Sequence, residues 1–419
     1  MSIKRRSILV GGLVAVAASA VPIRAALAAA TPAKIELTVP EPSGPYPIGT
    51  TELHLVQPGR PDPWAPEITR ELMVSLWYPA VPDPRYPRAP YLPSALAELY
   101  ETEAGVAPLA LPTGRIDWRG TRTHARVAAP VLARPGGHPV VLYSPGGLNS
   151  RALGTVGAQD LASRGFVVVT VDHPGEAAVE FPGNRIRRTQ VPFDITDPAE
   201  IERVKERFMA AREADLLFVL DQLEVLAAGG NPDAERRALP RGLGRAMDLS
   251  NVGMFGHSAG GLATARAMYA DRRIDAGVNM DGWFQFGDNH PERGSDRPFL
   301  LLGARSHPQD PVLHGEVRTH LTEPLWRVFW DNSTGWKLDL NVPNGQHYTF
   351  TDGQWFLPQL AGPLGIDTTT AIGTVDPTRI VNGQNDYLAA FFAQHLKRQP
   401  QRLLTGPSPE YSDLVSFIR

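Results

Sequence analysis

The stretch Val252-Gly253-Met254-Phe255-Gly256-His257-Ser258-Ala259-Gly260-Gly261 holds the decisive pattern of this sequence. Val252 to Phe255 read as a short buried strand, a glycine turn follows, and residues 262–269 suit a helix. In that setting Gly256-x-Ser258-x-Gly260 matches a nucleophile elbow, in which a serine occupies a strained turn between strand and helix. The glycines have a steric role, because a side chain at either position would strike a neighbouring strand or helix. A helix opening behind Ser258 also aims free backbone N–H groups and a positive dipole end at a reacting oxygen. The plain alternative is a glycine-rich turn with a solvated serine, and the flanking strand and helix argue against it.

Working outward, the same alternation recurs. Pro139-Val140-Val141-Leu142-Tyr143-Ser144 is a continuous apolar run of the kind buried on both faces, and Gly165–Asp172 is a second one. Residues 151–163 between them suit a helix, which is βαβ grammar. Leu72–Tyr78 reads as a strand ending at Pro79. Residues 198–226 are the strongest helix: Asp197 caps, Pro198 suits the first turn and Glu200 completes a capping box. Further strands are expected at 277–281, 298–303 and 336–342, and a helix at 385–397. The expected fold class is α/β, with a mostly parallel central sheet and helices on both faces. Residues 31–65 read as an extended, proline-rich lead-in. Residues 79–138 read as a loop-rich insertion, either beside a cleft mouth or as a surface excursion. Residues 29–419 form a single expected domain.

Of 419 residues, 42% are hydrophobic and 20% charged, near globular averages, which speaks against disorder and against a membrane bundle. The absence of cysteine excludes disulfides, thiolate zinc sites and a cysteine nucleophile. Residues 1–28 read as an export signal: Lys4-Arg5-Arg6, an apolar run from Ile8 to Ala20, and Ala26-Leu27-Ala28 as the cleavage site. Arg5-Arg6 gives it a twin-arginine character, with an ordinary secretory signal as the alternative. Its removal takes away four cations and no acid, moving the formal charge from −3 to −7. A mildly acidic chain of this kind does not suit nucleic acid as a partner and gives no help on anionic lipid, so at most peripheral membrane contact is expected. The expected location is periplasmic or secreted.

A serine hydroxyl needs a base, and that base needs an orienting carboxylate. In a sheet of this kind the order along the chain is Ser, acid, His. His290, His307, His314, His320, His347 and His395 follow Ser258, and His347 is best placed, in a loop directly after the last expected strand. His395 sits on a helix and is expected to pack or cap. For the acid two candidates stand: Asp281, at the carboxyl end of the strand after the elbow, and Asp310, after the next strand. The oxyanion donors are expected to be the N–H groups of Ala259 and Gly147, the latter in the loop Pro145-Gly146-Gly147-Leu148, with Gly146 or Leu148 as neighbouring choices.

Several of these segments resemble the plasma-type (isoform II) platelet-activating factor acetylhydrolases and their bacterial relatives. The likeness rests on Gly44-Pro45-Tyr46-Pro47-Ile48-Gly49, Val141–Gly147, Asp160–Val168 and Gly256–Gly261. That family places its acid in an Asp-x-Trp context, so the resemblance implies Asp281 of Asp281-Gly282-Trp283 over Asp310, and implies His347 as the base. Its oxyanion loop has a His-Gly-Leu-Gly character, unlike Pro145-Gly146-Gly147-Leu148 here. The resemblance implies an α/β-hydrolase that releases short acyl groups from phospholipid-like esters without metal or organic cofactor. A lipase or polyester hydrolase of broader acyl range, a peptidase, and a non-catalytic binding module are the rival expectations.

Overall fold

The computed structural model describes residues 33–104, 108–192 and 195–419, and the expected export signal lies outside them. Thirteen strands are described: β1 (Ile48–Pro61), β2 (Thr69–Pro79), β3 (Arg88–Pro90), β4 (Arg122–Val127), β5 (His138–Ser144), β6 (Val167–Val171), β7 (Val179–Phe181), β8 (Arg185–Arg187), β9 (Met247–His257), β10 (Ile274–Met280), β11 (Phe299–Ala304), β12 (Lys337–Val342) and β13 (Ser416–Ile418). Eleven make one sheet in the order β13-β12-β11-β10-β9-β5-β6-β2-β1-β4-β3, and β7 and β8 form a separate ribbon. From β6 through β12 every neighbouring pair is parallel, while β2 joins β6 and β1 joins β2 antiparallel.

Among the described residues eight α-helices accompany the sheet: α1 (Ser94–Thr102), α2 (Thr155–Ser163), α3 (Pro198–Ala227), α4 (Ala259–Ala270), α5 (Pro324–Asn332), α6 (Gly353–Leu364), α7 (Thr369–Ile372) and α8 (Pro377–Leu396). Alternation along the strands assigns each helix a face. Val140 and Leu142 of β5 pack with Phe208 and Leu216 of α3 and Leu262 of α4, whereas Val141 and Tyr143 pack with Leu161 of α2 and Phe391 of α8. Both faces of the central strands are therefore dry, which is why β5 and β6 read as unbroken apolar runs. This is the α/β-hydrolase fold. Among the described residues no helix is long and apolar enough to cross a membrane.

Three expectations need correction. The lead-in of 31–65 contains β1, a long strand whose residues Ile48 to Val56 pair in register with β2, so that cross-strand bonding overrides the local proline content. Residues 79–138 also hold structure, namely β3, α1 and β4. Their Tyr91, Leu92, Leu96 and Trp118 share an apolar cluster with Phe356, Leu357 and Leu360 of α6. In addition β12 is the last parallel strand but not the last strand, since β13 pairs antiparallel along its outer edge.

Candidate active site

Strand β9 ends at His257 and α4 begins at Ala259, so the whole reversal falls on Ser258, whose backbone has φ 54° and ψ −122°. A non-glycine residue there costs about 1–3 kcal/mol and persists only where its surroundings dictate it. Those surroundings are visible. A Cβ at Gly256 would lie 2.2 Å from the Gly260 carbonyl carbon, and one at Gly260 would lie 1.9 Å from the Ser144 oxygen. At Gly261 it would lie 2.0 Å from Asn279 Oδ1. Only glycine lets α4 sit this close to β9, β5 and β10. The Ser258 N–H donates to the Met280 carbonyl at 2.8 Å, which fastens the turn to the end of β10.

Asp281 follows that carbonyl, itself at φ 58°. Its Oδ2 accepts from His347 Nδ1 at 2.6 Å, and its Oδ1 accepts from the Ala304 N–H and from Arg318 Nε, both at 3.1 Å. Burial penalises the Asp281 charge, yet Arg318 and the His347 bond outweigh that and hold the carboxyl below the usual aspartate range. Asp310 does not reach His347. It accepts from the N–H groups of Val312 and Leu313 and from Arg318 Nη2 at 3.1 Å, so it stands behind Asp281, one guanidinium removed.

His347 opens a short 3₁₀ turn after β12, with a ring 35% exposed. Its carbonyl accepts from His257 Nε2 at 2.8 Å, and the two rings lie 4.5 Å apart, so the residue adjoining Ser258 holds the backbone of the histidine. Burial and the neighbouring His347 press the His257 pKa down to about 3, which keeps that ring neutral. Among the described residues neither Ser258 Oγ nor His347 Nε2 has a protein hydrogen-bond partner. Such bonds commonly tighten only when substrate arrives.

The other histidines are placed elsewhere. His395 packs on Trp336 and Phe391, as a helix-borne residue should. His320 is buried against Asp339 at 2.7 Å and stacks on Trp330. His290 is exposed beside Glu292, and His307 accepts from the Gln309 N–H within its own turn. His314 lies in the turn that closes on Asp310.

Gly147 lies against α4: a Cβ there would be 3.9 Å from the Ala259 Cβ and 3.4 Å from the Phe208 ring. The N–H groups of Gly147 and Ala259 donate to no protein acceptor among the described residues. The Gly146 carbonyl, by contrast, is occupied by Arg212 and by the Asn149 N–H. Leu148 is forced to φ 63°. Arg318, His257 and Arg212 escaped the sequence reading. Only His257 carried a signal, its place inside the glycine-serine-glycine motif.

A cavity of about 380 Å³ lies apart from these groups, between β1, β2 and the segment 89–93. Its lining includes Glu52, Trp77, Tyr91 and Arg151 but neither Ser258 nor His347. Arg151 is paired there with Asp172 and Glu52.

Comparison with known proteins agrees with this architecture. Residues 33–307 match the family described as platelet-activating factor acetylhydrolase, isoform II. A protein of Arthroderma benhamiae described as "Probable 1-alkyl-2-acetylglycerophosphocholine esterase" is 29% identical over 415 residues, covering 93% of this chain and 96% of that one. The platelet-activating factor acetylhydrolase of Bos taurus is 25% identical, over 62% of this chain and 58% of its own length. Among solved structures, a ferulic acid esterase from Streptomyces cinnamoneus superposes with a TM-score of 0.72 at 35% identity, covering 91% of this chain and 99% of that one. With a family match spanning most of its length laid over the sheet and elbow described above, this chain belongs to the platelet-activating factor acetylhydrolase isoform II family.

Proposed function

We propose that the protein is a serine carboxylic-ester hydrolase in which Ser258 is the nucleophile, His347 the base and Asp281 its orienting carboxylate. Ser258 Oγ attacks the ester carbonyl as His347 Nε2 takes its proton. The same proton then passes to the departing alkoxide, leaving an acyl group on Ser258. Water enters by the reverse sequence, with His347 again the base, and releases the acid. Asp281 stays ionised throughout, which its depressed pKa permits. The N–H groups of Gly147 and Ala259 hold the oxyanion. The observation that carries this reading is the 2.6 Å Asp281–His347 bond, tied through His257 to a serine locked at positive φ.

For substrate, the family and the Arthroderma relative support short acyl groups on phospholipid-like esters. The Streptomyces structure favours a second reading, an aromatic acyl group such as ferulate. Turnover compared across p-nitrophenyl acetate to palmitate, methyl ferulate and a 1-alkyl-2-acetyl glycerophosphocholine separates the two. Decline with chain length and cleavage of the acetyl phospholipid supports the first, whereas selective cleavage of the ferulate replaces it. Export is part of the proposal, on the strength of Arg5-Arg6 and Ala26-Leu27-Ala28. Sequencing the amino terminus of protein recovered outside the cytoplasm tests it: a start just after Ala28 supports export, and an uncleaved chain retained inside the cell overturns it.

A further inference from the structure

Beneath the Pro145–Leu148 loop lies an arginine that no part of the reaction scheme uses. Arg212, on α3, is fully buried, and its guanidinium is saturated. Nε binds both carboxylate oxygens of Glu176 at 3.0 Å. Nη1 donates to the Pro145 carbonyl at 2.5 Å and to Ser144 Oγ at 3.3 Å. Nη2 donates to the Gly146 carbonyl at 3.1 Å and to Glu176. The Phe208 ring backs the guanidinium at 4.8 Å. A guanidinium has five N–H donors in a rigid fork, and each has an acceptor here.

The Gly146 carbonyl belongs to the same peptide unit as the Gly147 N–H. A trans peptide is planar, so its C=O and N–H point in opposite directions. Two successive glycines leave such a unit with little steric resistance to rotation. A bond that pins the carbonyl therefore fixes the N–H on the far side, away from the guanidinium. A donor to the carbonyl also polarises the peptide and strengthens its N–H. Its donors are all taken up by Glu176, Ser144 and the two carbonyls, so Arg212 acts through the peptide rather than as a cation presented to substrate.

We propose that Arg212, clamped by Glu176, is the positioning residue of the oxyanion hole, holding the Gly146–Gly147 peptide in the orientation that keeps the Gly147 N–H available. This rests on the assignment of Gly147 as a donor in the reading above. Loss of one oxyanion donor costs about 100- to 1000-fold in kcat. Arg212→Lys keeps the charge but has three donors in no fixed plane, and it cannot hold both carbonyls and Glu176.

The experiment measures kcat, KM and the inhibition constant of a trifluoromethyl ketone, whose tetrahedral adduct places an oxyanion in the hole, with circular dichroism and Tm as folding controls. For folded Arg212→Lys the expected result is a kcat lower by about 100-fold, a KM within about threefold, and an inhibitor weakened in step with kcat. Glu176→Gln, which loosens the clamp and keeps the guanidinium, is expected to lose about tenfold with the same split. A folded variant of either kind with wild-type kcat and inhibitor affinity overturns the proposal. So does failure of both variants to fold, which assigns the pair a purely structural role. Ser258→Ala separates this from the underlying reading: residual wild-type turnover there removes the nucleophile assignment itself, whatever Arg212 does.

Discussion

Two serine–histidine–aspartate rows stand among the described residues, and the better-connected one is the one sealed from solvent. In the first, Asp281 binds His347, whose carbonyl is held by His257, the neighbour of Ser258. In the second, Ser144 Oγ meets His173 Nε2 at 2.9 Å and His173 Nδ1 meets Asp215 Oδ2 at 2.9 Å, an unbroken chain. The second row is sealed: Ser144 and Asp215 have no exposed surface and His173 has 3%. Burial and the nearby Arg212 lower the His173 pKa to about 4, so its ring is a poor proton acceptor near neutrality. Asp215 is shared with Arg70 and Arg60 and holds a buried ion-pair network together. Ser144 closes an ordinary strand, whereas Ser258 is thrust out of the chain's direction by its backbone. On the function proposed above, access and backbone strain distinguish the reactive row from the structural one. Connectivity alone does not.

The comparison breaks most directly at the serine. Ser258→Ala is expected to lower kcat by about 10⁶-fold and abolish labelling by a fluorophosphonate. Labelling that survives in Ser258→Ala would move the nucleophile elsewhere. The next largest effect belongs to the acid: Asp281→Asn should lower kcat by about 10⁴-fold through the wrong histidine tautomer. Asp310→Asn should lose under about tenfold, since Asp310 reaches the site only through Arg318. Steady-state turnover of both variants decides between them. In the sealed row, His173→Gln is expected to cost about 2 kcal/mol in urea unfolding, because Asp215 loses one buried partner and keeps its arginines. Labelling at Ser258 should persist in that variant, and its loss would erase the distinction drawn above.

The last effect, read as a dependence on pH, concerns Asp352, five residues past His347. Burial, opposed by bonds from the Val156 N–H and Tyr91 OH, raises its pKa to about 7. A raised folded-state pKa contributes stability below the unfolded value, near 4, and that contribution fades as pH rises through about 7. The slope from one such group is at most about 1.4 kcal/mol per pH unit. Asp352→Asn should therefore show a flatter fall of Tm between pH 5 and pH 8 than the wild type. Identical pH profiles would place the carboxyl in its ordinary range.

What the sequence made legible was whatever chain-local physics controls. β5, β6 and the Val252–Phe255 part of β9 are buried on both faces, so their apolar runs are continuous and need no partner to be recognised. The elbow is equally local, since Gly256 and Gly260 answer to contacts within one tight reversal. His347 follows from standing just past a strand end, whereas Asp281 and Asp310 both stand so, and only the Asp-x-Trp resemblance separates them. Contacts between distant stretches left no such mark. Arg212 occupies a place on α3 like any helix cation, and its role appears only when residues 144–146 and 176 fold around it. The Ser144–His173–Asp215 row was invisible for the same reason. Helix α6 hid behind Pro358 and Pro363, which ordinarily end helices, while Phe356, Leu357 and Leu360 hold it in place by packing. Strand β1 was masked by the prolines around it.

The Asp352 carboxylate gathers three separated lengths of chain, since Tyr91 arrives from the stretch between β2 and β5 and Val156 from the first turn of α2. That stretch therefore shares a footing with the segment that carries His347. Exchanging it between relatives is expected to retune turnover while every reacting group stays the same, and a series of chimeras measures how far evolution has been able to diversify this enzyme from its periphery.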